Sequence, residues 1–371
     1  MMTIRFVLGG IFWLIYISNA WGLNSFYMYR PLSIGPQHPL FFVNTLYMPD
    51  TAGQKDSQWA ILDLGYYHVN FFEKSVNVGV DGPPEDFPIR FKRCEGYHVE
   101  LPAYDWNCKG RGYSIFQDGE YLRRIALFSL QWGSSTEIQW AYRDIYFRGG
   151  ELDRVIEQYH RLWGMSDERN QASRDSFSIF VWDNEEQKFV YFQDQPTHEY
   201  QIESRTLSLK QTLIQSEHFA FSFKLASNFE DQYLETLNTV SKETSPDFND
   251  YNMALESSYL GDTWALHVGR AQTISHKPRF EKSPTPLNFF FLGFVFQLSE
   301  YTYFLIQDLF YSTIFPKDGR ESLHHDLRER ALAIRIAVGE NLNVETGLVN
   351  NVTWEPHNID ASFFFRLILA Y

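Results

Sequence analysis

Glu256 and His267 stand either side of Gly261, where a tight turn makes them diagonal neighbours on one sheet face. A carboxylate and an imidazole so placed are able to exchange a proton. His324-His325-Asp326 is a run of metal-ligating types, and Glu185-Glu186 is a paired acid. Three adjacent residues without a distant partner do not enclose a cation, and neighbouring acids in a loop read as solvated charge. The sequence has no Gly-x-Ser-x-Gly elbow, His-Glu-x-x-His pair, phosphate loop or dinucleotide fingerprint. The His-x-Ser pairing sought in a barrel phospholipase is also missing. No catalytic set, cofactor or metal is therefore expected.

Composition bounds the elements that hold these residues. The 371 residues carry 32 cations against 46 acids, a formal charge of −14, which disfavours nucleic acid as a partner. Aromatics make up 18% of the chain, yet charged residues reach 21%, too many for a polytopic helical membrane protein. A large secreted β protein and a transmembrane β-barrel both fit. Many of the acids fall in 71–120 and 148–204, which places the negative charge in exposed loops.

Arg5, the apolar run 6–17 and Ala20-Trp21-Gly22 have the layout of a secretory signal peptide over 1–22. The apolar run is too short for a membrane-spanning helix. In an oxidising compartment Cys94 and Cys108 are expected to form a disulfide. It would close a loop of about 15 residues, worth about 3 kcal/mol in the entropic model.

Runs of about ten residues with period-two alternation recur along the chain, the length a tilted barrel strand needs. Expected strands are 58–70, 121–132, 135–147, 205–214, 217–227, 251–260, 262–273, 287–298, 300–313, 328–339, 341–351 and 362–371. Short connections at Gly133-Ser134, Gln215-Ser216, Gly261, Ser299 and Gly339-Glu340 alternate with long ones, as in outer-membrane barrels. A soluble sandwich has no reason to keep that parity. The last strand places Phe363, Phe365, Leu367, Leu369 and Tyr371 on one face, a C-terminal assembly signal for the barrel-assembly machinery. The expected fold is thus all-β, a transmembrane antiparallel β-barrel of about 12 strands over 58–371. An extended segment at 41–47 leaves 14 strands open, and 23–57 is expected in the periplasm or the lumen.

One face of each strand must satisfy lipid. Outward sets are Phe219/Phe221/Phe223/Leu225, Trp264/Leu266/Val268, Phe290/Leu292/Phe294/Phe296 and Leu332/Ile334/Ile336/Val338. The opposite faces give a polar lumen of Asp63, Arg143, Lys210, Lys224, Glu256, His267, Arg335, Glu345 and Arg366. If the Gly339-Glu340 turn is tight, Arg335 meets Glu345 across the ladder. Such charges either fill the interior as salt bridges or line a narrow conduit.

Within 148–204, Leu152, Val155, Ile156, Tyr159 and Trp163 recur at helical spacing, an apolar stripe of a short amphipathic helix in a long extracellular loop. It packs either on the barrel mouth or only on its own loop. Leu152-Asp153…Tyr159-His160…Trp163-Gly164-Met165…Arg169 resembles a segment of the domain-of-unknown-function 3187 family of Gram-negative envelope proteins. Arg30-Pro31-Leu32…Gln37-His38-Pro39-Leu40 resembles that family's opening segment. The resemblance implies an envelope protein and brings no activity or site residues. Expected partners are outer-membrane lipids and lipopolysaccharide, and the sequence leaves the oligomeric state open. The expected role is a narrow channel, gated by the 148–204 loop, or a structural envelope barrel. A lipase or deacylase and a secreted glycan- or surface-binding β protein are the alternatives.

Overall fold

The computed structural model describes residues 28–37, 48–53, 59–74, 79–80, 91–92, 113–150, 152–155, 158, 177–183, 188–193, 196–197, 199–230, 250–274, 286–312, 327–339, 341–351 and 357–371. The signal-peptide region 1–22, the segment 41–47, Cys94, Cys108, Glu185-Glu186 and His324-His325-Asp326 lie outside them.

Among the described residues, sixteen strands follow one another. They are β1 (Ala60–Lys74), β2 (Gly79–Val80), β3 (Phe91–Lys92), β4 (Tyr113–Trp132), β5 (Thr136–Arg148), β6 (Ser178–Asp183), β7 (Lys188–Gln193) and β8 (Gln201–Gln215). Next come β9 (Phe219–Glu230), β10 (Tyr251–Leu260), β11 (Trp264–Ile274), β12 (Leu287–Ser299), β13 (Thr302–Tyr311), β14 (Leu327–Val338), β15 (Leu342–Asn351) and β16 (His357–Ala370). Twelve of them close into one antiparallel barrel. The ring closes because β1 pairs with both β16 (Leu64↔Leu367) and β4 (Leu64↔Ala126). Closure gives every wall strand a partner on each side, the condition for a sheet to stand in lipid.

β4 begins eight residues earlier than expected from the sequence. Beyond Glu120, where β5 ends, the free edge of β4 pairs with β6 over Tyr113–Asp118 while Phe116–Asp118 still pair with β1, and β7 pairs with β6 in turn. The loop expected to carry only a helix thus holds a hairpin standing on β4.

The pleat sorts the side chains. Phe219, Leu225, Phe290, Phe296, Ile336, Val338, Phe363 and Phe365 are exposed on the outer surface, while their strand neighbours are buried inside. A closed barrel that exposes so many large apolar groups requires an apolar solvent around it. Leu367 is half-buried and Leu369 is buried near the short turns. At Gly339 a left-handed φ of 75° lets the β14–β15 connection turn tightly.

Candidate functional site

The chain fills its own lumen. Residues 28–37 and 48–53 are almost all buried, yet among the described residues they join no strand. Extended backbone has amide and carbonyl groups that need partners wherever water is excluded. Here lumen side chains supply them.

Tyr29 marks the short-turn end: its hydroxyl donates to Gln297 Oε1 at 2.7 Å and to the Asp262 carbonyl at 3.3 Å. Rising from there, Arg335 donates to the carbonyls of Met28 and Arg30, the latter at 2.8 Å. Arg366 donates to the Leu32 carbonyl and Gln307 to the Ile34 carbonyl at 2.8 Å. The Gln37 amide reaches the Glu329 carboxylate at 3.0 Å, and its carbonyl accepts from the Tyr121 hydroxyl. The second segment descends. Lys224 Nζ lies 3.4 Å from the Met48 carbonyl, and Lys210 Nζ donates to Asp50 Oδ2 and the Thr51 carbonyl, each at 3.1 Å. Near the turns, Thr212 donates to the Ala52 carbonyl at 3.1 Å, and the Ala52 amide to Ser258 Oγ at 2.8 Å. The N-terminal chain therefore rises through the barrel and comes back to the end where β1 begins.

Wall charges pair beneath this plug. Three neighbouring strands alternate sign in one row, Arg335 on β14, Glu345 on β15 and Arg366 on β16, and Asp63 on β1 stands diagonally from Arg366. Arg335 Nε donates to Glu345 Oε1 at 2.7 Å and Arg366 Nη1 to Oε2 at 2.8 Å, while Arg366 closes the seam by an ion pair to Asp63. Arg335 faces Glu345 directly across the ladder. Gly65, opposite Arg366, leaves room for the Tyr67 ring, since an added Cβ would lie 2.9 Å from Tyr67 Cε2, and it would only touch Arg366 Cγ at 3.4 Å. Elsewhere Lys210 pairs with Glu137 at 2.5 Å, Arg123 makes a two-point pair with Glu203 at 2.8 Å, and Arg143 donates to Ser204 Oγ at 3.4 Å.

His267 and Glu256 both face inward, but His267 is bonded elsewhere. The residue directly opposite His267 is Ser258, and Glu256 faces Gly269. His267 Nδ1 is 2.8 Å from Ser258 Oγ and Nε2 is 2.6 Å from the Tyr29 carbonyl. An imidazole that donates to a backbone carbonyl from one nitrogen accepts a hydrogen bond from the Ser258 hydroxyl on the other. The group is completely buried and ties both plug segments to β10 and β11.

A family model described as a protein of unknown function (DUF3187) matches residues 109–369. The chain belongs to that family. The match opens just before β4 and leaves out β1 and both plug segments. Among curated proteins none matches. Of solved structures, an outer membrane channel from Pseudomonas putida F1 is similar at 9% identity and a TM-score of 0.43, over 86% of this chain and 98% of that one. The Pseudomonas putida toluene transporter TodX is similar at 7% identity and a TM-score of 0.36, over 95% of this chain and 98% of that one.

At the long-loop end, Phe71, Tyr121, Phe147 and Phe177 pack ring against ring inside the wall, with centroids 5.5–6.5 Å apart from pair to pair. Asn70 donates to Glu120 at 3.2 Å and to Asp153 at 3.0 Å, and the Leu152 amide donates to Glu120. This corrects the expected apolar stripe where it is described. Asp153, 1% exposed, is the buried residue of the helical turn, Leu152 is half-buried, and Val155 is 51% exposed. Among the described residues, polar partners on the rim hold the turn. Ile156, Tyr159 and Trp163 lie outside the described residues.

Gly293 offers a direct probe of plug packing, because a Cβ there would lie 3.2 Å from Pro31 Cβ. Gly293→Val is expected to overpack this contact at a cost of about 1–3 kcal/mol. Protease cleavage within 28–37 of the detergent-purified protein should then rise. Unchanged cleavage would mean that Pro31 does not rest on β12.

Proposed function

We propose that the protein is an outer-membrane solute channel whose resting state is closed by its own N-terminal segment. The observation that carries this reading is the type of bond holding the plug. Arg335, Arg366, Gln307 and Lys210 grip backbone carbonyls of 28–37 and 48–53, while the wall charges also have partners of their own. A barrel that only needed filling would be served by larger inward side chains. A segment outside the sheet, bound to an already paired wall, is able to leave without collapsing the barrel. The lumen then becomes a passage lined by charges of both signs, suited to small polar solutes.

The outer surface supports the membrane placement. Short turns would face the periplasm and long loops the exterior, the usual arrangement of such barrels. The Ser258–His267 pair does not favour the enzymatic alternative. It is sealed from solvent, its hydroxyl accepts the Ala52 amide, and its imidazole is oriented by a carbonyl instead of a carboxylate.

Planar-bilayer recording tests the reading. The full chain should give rare conductance steps, and a variant lacking 28–53 should give frequent, stable ones. Retained heat-modifiable migration would show that the variant still forms its barrel. If the folded deletion variant conducts no more than the full chain, the channel reading fails and a structural envelope role replaces it.

A further inference from the structure

The outward face of β11–β14 changes character before the long loops. Nearer the short turns it exposes Phe296, Leu298, Ile336 and Val338. At the other end the ladder aligns Arg270, Phe290, Phe310 and Arg328 across four strands. Arg330 stands opposite Asp308 in the next paired row toward the turns. Arg328 Nη2 donates to Asp308 Oδ2 at 2.9 Å, while Arg330 donates to Oδ1 at 2.7 Å and to Oδ2 at 3.0 Å. The Arg328 guanidinium lies 4.9 Å from the Phe310 ring centroid, and the Phe290 and Phe310 centroids are 5.8 Å apart.

Ionised groups on a lipid-facing surface are costly at the bilayer midplane and tolerated near the headgroups. This row therefore marks where the apolar band ends. One carboxylate serves two guanidiniums, and Arg270 adds a third cation, so the patch is positive on a chain of −14. Two arginines carry about ten N–H donors, of which Asp308 takes three bonds. The Arg328 and Arg330 side chains remain 32% and 39% exposed. A planar guanidinium with free donors matches the paired oxygens of a phosphate.

We propose that Arg328 and Arg330 bind a phosphate of an anionic lipid headgroup in the leaflet facing the long loops, with Arg270, about 14 Å away across three strand spacings, adding to the positive field. Asp308 holds the two β14 arginines in position, and the acyl chains lie on Phe290, Leu292 and Phe296 below. The inference rests on the membrane placement, not on the channel reading.

Native mass spectrometry of the detergent-purified full chain tests it, with a diphosphorylated lipid A-type glycolipid and its dephosphorylated form as probes. Wild type should retain the phosphorylated form several-fold better. R328Q/R330Q/D308N, which removes the cluster without leaving an unpaired acid, should lose that preference while binding the dephosphorylated form unchanged. R328K/R330K keeps the charge, loses the planar fork and should fall between the two. It also supplies the reading if the triple variant does not fold. Equal retention of both lipids by wild type, or an undiminished preference in the variants, would overturn the site. Displacement by inorganic phosphate at equal concentration would make it a free-anion site and overturn the lipid assignment. The triple substitution should leave the conductance of the plug-deleted protein unchanged, so failure of one reading is distinguishable from failure of the other.

Discussion

Glu345→Gln should destabilise the barrel by about 3–5 kcal/mol, the cost of removing one partner from a buried ion pair. Glu345 is completely buried between Arg335 and Arg366 and accepts from both. The amide leaves two guanidiniums with only carbonyls and Asp63 for neutralisation, and it turns an –NH₂ toward one of them. Since Arg366 also joins β16 to β1 through Asp63, the damage falls on the seam that closes the ring. The measurement is the temperature at which heat-modifiable migration is lost in detergent, alongside urea unfolding in lipid vesicles. Arg335→Met/Glu345→Leu removes the Arg335–Glu345 pair and still leaves Arg366 with Asp63, so it should be milder than Glu345→Gln alone. If the single and double variants unfold alike, desolvated charge is not what the row balances.

The Arg335–Glu345 pair is legible in the sequence because two strong rules meet there. A tight turn at Gly339 fixes the sum of paired residue numbers, and period-two alternation then assigns every face of β14 and β15. The same logic sets Glu256 and His267 on one face as diagonal neighbours, and the ladder places them so. A directly opposed residue is nearer than a diagonal one, so Ser258 takes the imidazole.

The plug is legible only as an extra segment without a place in the wall. Many of its bonds run from wall side chains to backbone carbonyls, which every sequence possesses, so apart from Tyr29 and Asp50 its residue types carry little signal. Gly293 and Gly65 look like weak strand residues until the groups lying over them are seen. The 148–204 region misleads in another way. An apolar stripe at helical spacing masks β6 and β7, and the residue that anchors the turn, Asp153, is polar.

Locking the plug to the wall should abolish conduction in a variant that otherwise conducts. Asp50→Ala provides that variant, because Asp50 accepts from Gln139 at 2.6 Å and from Lys210 at 3.1 Å. Both donors keep Glu137 as a second partner, at 2.9 Å and 2.5 Å, so the loss falls on the plug more than on the barrel. Openings should become frequent. Thr51 and Ser258 then offer the lock, with hydroxyl oxygens 3.4 Å apart on plug and wall. Cysteines at both positions need their sulfurs to approach to about 2.05 Å, a small adjustment for two short side chains. In a background with Cys94→Ser and Cys108→Ser, D50A/T51C/S258C should be silent when oxidised and should open again on reduction. The reduced form is the control for any loss of the Ser258–His267 bond. Equal conductance in both redox states, with the cross-link verified by mass, would place the ion path outside the plugged lumen.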